Sequence, residues 1–234
     1  MNLALLGYGR MGKIIEKFAL NRGHKIVYIL DKEWEQGTLS QADVAINFSI
    51  PSATVNNIKK AIDHQVPVVC GTTGWLEHFD EITAYTQKKN SGFLYASNFS
   101  IGVNLFFKIN ASVAHLMAPQ KDTYQARIKE IHHVHKLDAP SGTALTLAEA
   151  LLNEKHYNHW ELNSKNPNAL TIEALREGEV PGTHTITYQS EVDTITLTHE
   201  AFSRDGFALG AVIAAEWLKG KNGVFSMQDV LNIS

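Results

Sequence analysis

A single cysteine, Cys70, in 234 residues leaves no pair for an internal disulfide. That excludes the small secreted scaffolds that rely on cross-links instead of a core. Charge is sparse, 19% of residues and −3 net, and no basic run occurs. Nucleic-acid binding needs clustered Lys and Arg to displace counterions from phosphates, so no nucleic-acid partner is expected. No continuous apolar run reaches the roughly 18 residues of a membrane span, and no membrane partner is expected either. Met1-Asn2-Leu3-Ala4-Leu5-Leu6 lacks the basic segment and cleavage site of a signal peptide. It suits a first strand, and a cytoplasmic location is the expectation. Repeats and low-complexity tracts are also absent. What is present, a 44% hydrophobic composition spread along the chain, can build one large domain or two modest ones.

The N-terminal half has the pattern of alternating strands and helices. Leu3 to Leu6 is a short apolar run of the kind buried on both faces of a parallel sheet. Gly7-Tyr8-Gly9-Arg10-Met11-Gly12 follows at once, and Ile14, Ile15, Phe18 and Ala19 then recur at helical spacing. A second apolar run, Ile26 to Leu30, ends in Asp31. Glycines between strand and helix, with an acid roughly 20 residues on, form the dinucleotide fingerprint. They permit a tight turn, close approach of the pyrophosphate and helix–strand packing, while the acid accepts from ribose hydroxyls. NADH, NADPH or both are therefore the expected cofactors. Asp31 favours a free 2′-hydroxyl, and the adjacent Lys32 could hold a 2′-phosphate.

Ala42 to Phe48, Val66 to Cys70 and Gly92 to Ala96 suit further strands, and Pro51 to Ile62 and Phe79 to Lys89 suit helices. Too little chain lies between Asp31 and Asp43 for a full crossover helix. Gly71, Thr72 and Thr73 follow one strand, and Ala96, Ser97, Asn98 and Phe99 close another. The carboxyl ends of strands face the ligand crevice in such sheets, so both groups are candidate cofactor contacts. Cys70 is most simply a small buried apolar residue. An apolar helix from Leu105 to about Met117 leads out of this region.

Beyond Tyr124 strand-like segments dominate: Tyr124 to His135, His184 to Gln189 and Asp193 to His199, the last two antiparallel. His156 to Pro167 has no clean period and suits a loop. Gly206 to Leu218 is strongly helical. The expected architecture is α/β: a Rossmann-type doubly wound parallel sheet from residues 1–103 and 214–234. An α+β substrate and oligomerisation domain with a mixed sheet, residues 104–213, is inserted into it.

Chemistry concentrates in Glu130-Ile131-His132-His133-Val134-His135-Lys136-Leu137-Asp138-Ala139-Pro140-Ser141-Gly142-Thr143-Ala144. As one straight strand to His135, this segment would put His132 and Lys136 on one face, their Cα atoms roughly 13 Å apart. Asp138 could cap a following helix, with Pro140 and Ser141 in its first turn. The N–H groups of Ser141, Gly142 and Thr143 would then be open to an anion. Imidazoles exchange protons near neutrality, and a lysine holds carboxylates. A small dicarboxylate substrate fits this set. His133 and His135 could form half of a metal site, but nothing completes it, and no metal is expected.

This long signature resembles that of the 4-hydroxy-tetrahydrodipicolinate reductase (dihydrodipicolinate reductase) family of bacterial lysine biosynthesis. The resemblance extends to Gly7–Gly12, to Gly71-Thr72-Thr73-Gly74, to Ala96–Ser100, to Gly182-Thr183-His184 and to Ser203-Arg204-Asp205-Gly206-Phe207. It implies NAD(P)H-dependent reduction of a hydroxylated tetrahydrodipicolinate, with His132 as proton donor and acceptor and Lys136 as a second proton donor. It further implies that His133 touches substrate, that Gly142 and Thr143 hold a carboxylate, and that four chains join through the second domain's sheet. Two other classes stay open: another Rossmann oxidoreductase acting on an aspartate-derived substrate, and a non-catalytic NADH-binding redox sensor.

Overall fold

The computed structural model describes residues 1–155 and 157–233. His156, in the segment expected to be a loop, and Ser234, in the C-terminal one, lie outside them. The first elements are β1 (Asn2–Leu6), α1 (Arg10–Asn21), β2 (Lys25–Leu30), β3 (Glu35–Gly37), β4 (Val44–Asn47), α2 (Pro51–Asp63) and β5 (Val68–Cys70). Next come α3 (Phe79–Lys88), β6 (Gly92–Tyr95), α4 (Ile101–Met117), β7 (Gln125–His132) and α5 (Gly142–Asn153). The remainder is β8 (Trp160–Leu162), β9 (Leu170–Arg176), β10 (Gly182–Gln189), β11 (Thr194–Ala201), α6 (Asp205–Leu218), β12 (Gly223–Phe225) and α7 (Met227–Leu231).

The chain forms two compact units, residues 1–104 with 205–234 and residues 105–204. The second boundary therefore falls nine residues before the expected 214, because α6 packs against α1, β4, β5 and β6 as one continuous helix. Apolar periodicity alone gave no reason to keep all of it on one side.

The first unit is a seven-stranded sheet in the order β12-β6-β5-β4-β1-β2-β3. All pairings are parallel except β2 with β3. Period-two geometry sends Leu3 and Leu5 to one face, with Ile15 of α1 and Ala211, Ala215 and Leu218 of α6. Ala4 and Leu6 go to the other, with Ile58 and Ile62 of α2 and Ile82 of α3. This is the doubly wound arrangement that strands apolar at every position predict. Between β2 and β4, where a crossover helix would not fit, the short antiparallel β3 caps the sheet edge.

The second unit is a five-stranded mixed sheet in the order β11-β10-β7-β9-β8. β10 is antiparallel to both β11 and β7, whereas β7–β9 and β8–β9 are parallel. One face packs Ala126, Ile128, Ile172, Ile186 and Tyr188 against Phe106, Ala114 and Met117 of α4 and Leu147, Ala148 and Leu151 of α5. Two sequence expectations are corrected. The supposed loop contains β8, and the strand expected to run to His135 stops at His132, where Lys136 N–H donates to the His133 carbonyl in a turn (3.1 Å). A third concerns the apolar runs. Ile101–Gln120 is long enough, with mean hydropathy 1.3, to cross a membrane by length and composition. Asn104, Lys108 and Asn110 interrupt it, which is why no continuous run is visible. Buried Asn110 donates to the Leu147 carbonyl (2.9 Å), as expected of a helix packed on α5.

Candidate active site

The glycine loop between β1 and α1 has the geometry a dinucleotide requires. Gly7 has φ +99°, and a Cβ there would lie 2.3 Å from the Phe48 carbonyl oxygen. A Cβ on Gly12 would lie 2.3 Å from the Gly7 oxygen, so this glycine lets helix pack on strand. Around Gly9 the space is open, and as the residue preceding α1 it offers no side chain to cap the first N–H groups. Helix-end amides left without a cap are anion sites. Gly7, Gly9, Asp31, Lys32, Phe48 and Ser49 line a cavity of about 450 Å³ beside this loop. Tyr8 stacks edge-on against Trp34 (5.9 Å), and Arg10 is exposed while Met11 is half-buried. These residues fit the adenosine and pyrophosphate portions of a bound dinucleotide.

The two later loops are less uniform than their sequences suggest. Thr72 is buried: its hydroxyl accepts from Ser49 N (3.0 Å) and Asn47 Nδ2 (3.2 Å), and its carbonyl accepts from the Trp75 indole (2.7 Å). Gly71 lies on the Phe48 ring, leaving Thr73 as the exposed member. Phe99 is buried against Phe48 (5.6 Å), Asn98 Oδ1 accepts from Ser100 N (2.9 Å), Ala96 is half-buried against the core, and Ser97 is exposed at the strand end. Cys70 is wholly buried, and burial pushes its thiol up to about 11, which leaves no nucleophilic thiolate near neutrality.

In the second unit the strand register assembles the site. On β7, Ala126, Ile128, Glu130 and His132 share the covered face. Glu130 stands opposite His184 of β10, and His132 opposite Arg176 of β9. Glu130 is fully buried, and its oxygens accept from Ser141 N (3.2 and 3.1 Å) and Arg176 Nη2 (3.2 Å). Its Oε2 also lies 3.6 Å from His132 Nε2 and 3.7 Å from His184 Nε2. The two imidazoles meet through their Nε2 atoms at 3.3 Å. Burial opposes charge on Glu130, but the nearby His184 ring and the hydrogen bonds from Ser141 outweigh it and hold the carboxyl at about 2. Burial, reinforced by His184, pushes His132 down to about 4.

Beyond His132 the chain turns. Arg176 fixes this loop by donating to the Asp138 carbonyl (2.6 Å) and the Lys136 carbonyl (3.4 Å). The Lys136 ammonium holds both carboxylate oxygens of Asp138 at 2.8 Å. Asp138 is thus an ion-pair partner and not the helix cap. That role falls to Ser141, whose hydroxyl accepts from Ala144 N (3.1 Å). Helical geometry begins only at Gly142, after a bend at Ala139 and Pro140 and an extended Ser141, so Asp138 lies too far upstream to cap. Ser141 N–H is consumed by Glu130, so the open end of α5 consists of exposed Gly142 and half-buried Thr143. His133 is half-buried with a buried Nδ1 that has no hydrogen-bond partner among the described residues, while His135 is exposed and 3.4 Å from Glu179.

Glu130 and His184 stand in stretches quoted from the sequence but were given no role there, and Arg176 was not singled out. The available signal was register: an acid in the buried alternation of β7, and a histidine in that of β10. The Glu130, His132 and His184 ligand atoms lie within 4.8 Å of one another. A metal on His184 Nε2 would force the ring proton onto Nδ1, which is buried without an acceptor. The cluster is better satisfied as a hydrogen-bonded group.

Comparison with known proteins agrees with this geometry. The family model for the C-terminus of dihydrodipicolinate reductase matches residues 102–231, and that for its N-terminus matches residues 1–99. A 4-hydroxy-tetrahydrodipicolinate reductase from Christiangramia forsetii is 51% identical over 99% of this chain and 98% of its own. One from Neisseria meningitidis is 35% identical over 84% of this chain and 75% of its own. Among solved structures, a dipicolinate-bound dihydrodipicolinate reductase from Paenisporosarcina sp. TG-14 shares the fold, with TM-score 0.80 over 98% of both chains at 22% identity. The chain belongs to the dihydrodipicolinate reductase family of NAD(P)H-dependent oxidoreductases.

Proposed function

We propose that this chain reduces (2S,4S)-4-hydroxy-2,3,4,5-tetrahydrodipicolinate to tetrahydrodipicolinate in lysine and diaminopimelate biosynthesis. The observation that carries this reading is identity of 51% along practically the whole of both chains with a reductase of that name. In net, hydride replaces the ring hydroxyl, one proton is consumed and water leaves. The bound nicotinamide supplies the hydride. His132 donates a proton, and Lys136 exchanges Asp138 for a substrate carboxylate and serves as second donor. His133 contacts the substrate, and the Gly142 and Thr143 amides at the start of α5 receive a carboxylate. Ser141 supports them from within, through its bonds to Glu130 and Ala144.

Gly7, Tyr8, Gly9, Arg10, Met11 and Gly12 cradle the pyrophosphate, and Asp31 with Lys32 holds the adenosine ribose. Gly71, Thr72, Thr73 and Ala96 to Phe99 form the nicotinamide end, Thr72 and Phe99 as its buried supports. Residues 1–103 and the C-terminal segment bind the cofactor. The inserted domain binds substrate and joins four chains through its sheet, whose uncovered face carries Arg127, Lys129, Thr185 and Thr187. The enzyme works in the cytoplasm, on a small dicarboxylate.

Spectrophotometry of NADH and NADPH oxidation with freshly generated substrate tests this reading. Turnover is expected with that substrate and not with aspartate semialdehyde or amines of similar size. Cofactor binding without turnover of any of them would instead favour a redox sensor, and light scattering during chromatography checks the tetramer.

A further inference from the structure

We infer that Glu130 and His184 are positioning residues for His132, a buried carboxylate and a buried imidazole that together fix its ring orientation and its proton affinity. The inference rests on the role given to His132 above and extends it to two residues that touch neither substrate nor cofactor in that reading.

The tautomers follow from the hydrogen-bonding accounts of the three side chains. The His132 ring is bonded to the Pro181 backbone, and its Nδ1 edge lies along Gly182, where a Cβ would come within 2.9 Å of Cε1. Its Nε2 faces His184 Nε2 at 3.3 Å. His184 is 4% exposed, and its Nδ1 has no hydrogen-bond partner among the described residues. A buried N–H without an acceptor costs more than a bare ring nitrogen, so the His184 proton belongs on Nε2. His184 Nε2–H then lies between the lone pair of His132 Nε2 (3.3 Å) and the Ser141 hydroxyl oxygen (3.1 Å), and His132 keeps its own proton on Nδ1, toward Pro181. In this resting state every buried N–H of the pair has an acceptor.

A proton arriving at His132 Nε2 would place two N–H groups face to face. The Ser141 hydroxyl oxygen, 3.1 Å away, can then take the His184 N–H, and Glu130 Oε2, 3.6 Å from His132 Nε2 and 3.7 Å from His184 Nε2, supplies the negative charge that makes the protonated ring possible. Glu130 stays ionised because Arg176 and Ser141 N hold it. The two neighbours therefore act in opposite senses. Donation from His184 favours neutral His132, whereas the Glu130 charge favours the protonated ring. Lys136, a cation from the following loop, also disfavours it. Arg176 already neutralises part of the Glu130 charge, so the balance is set by the whole group. Strand register holds the geometry: Glu130 and His184 are directly opposed on β7 and β10, and His132 follows two residues on.

The test uses the full chain labelled with 13Cε1-histidine, the His132 signal being identified by its loss in His132→Gln. Glu130→Gln is expected to move the His132 titration midpoint to lower pH, and His184→Phe to move it to higher pH. Glu130→Asp, which keeps the charge, should lie nearer wild type. In turnover, both Glu130→Gln and His184→Phe should lower kcat by about tenfold or more, short of the 10²–10⁴-fold expected for losing the acid itself, with KM for NADH little changed. Loss of packing alone would not displace the two midpoints in opposite directions. Near-ultraviolet dichroism certifies each fold, and if Glu130→Gln does not fold, the shifts in Glu130→Asp and His184→Phe decide. Midpoints that stay in place, or move the same way in both variants, overturn the inference. Opposed midpoints in a protein that fails to reduce the substrate would leave the positioning pair standing and remove the proposed reaction.

Discussion

At the scale of single residues, the site separates groups that exchange protons from groups that hold them. His132→Ala is expected to lower turnover by about 10²–10⁴-fold, the usual span for removing a general acid, with little change in NADH affinity. Steady-state kinetics at saturating cofactor checks this, and near-normal turnover would take His132 out of the mechanism. Lys136→Ala is expected to raise KM for the substrate and leave KM for NADH alone. Equal weakening of both would contradict the carboxylate role. Lys136 now pairs with Asp138, so Asp138→Asn has a distinct signature: it frees the ammonium and should tighten a dicarboxylate inhibitor, measured by titration calorimetry. The histidines themselves were legible in sequence as a cluster. Their unequal environments were not, because burial of His132 and exposure of His135 depend on where β7 ends.

At the scale of elements, α6 gives the sharpest case. A Cβ on Gly210 would lie 1.7 Å from the Phe99 carbonyl oxygen. Helix propensity favours Ala over Gly by about 1 kcal/mol, but forced overpacking against rigid backbone costs about 1–3 kcal/mol or more. The steric cost wins. Gly210→Ala is expected to lower thermal stability and to raise KM for the cofactor through the displaced Phe99 loop. An unchanged melting temperature would contradict this close approach. Most elements were legible from the sequence, since continuous apolar runs mark β1, β4, β5 and β6 and helical spacing marks α1, α2 and α6. β8 and β9 were not, because their pairing partners, not a local period, make them strands. The cap of α5 was misplaced for a related reason. Asp138 and Ser141 are both good capping residues, and the bend at Ala139 and Pro140 between them, beside the Asp138 carbonyl held by Arg176, settles which one caps.

For the whole molecule, the buried cluster predicts acid lability. In the unfolded chain His132 takes up a proton near 6.5, whereas in the folded protein it resists down to about 4. The unfolded state therefore binds more protons in that window, and stability falls as pH drops through it. Glu130 continues the trend, from its ordinary 4.5 down to about 2 in the folded protein. Melting temperature followed from pH 8 to pH 3 should decline steadily below about 6.5, with a shallower slope in His132→Gln. A flat profile to pH 4 would show that the cluster is not buried as described. The sequence by itself determined the parallel sheet, the glycine loop and the presence of protonatable groups, because strand burial, φ restrictions and side-chain chemistry are local properties. Only the tertiary structure decided which groups meet. Glu130, His184 and Arg176 lie on three different strands, and their convergence on His132 comes from the pairing of β7 with β10 and β9, which no local pattern encodes.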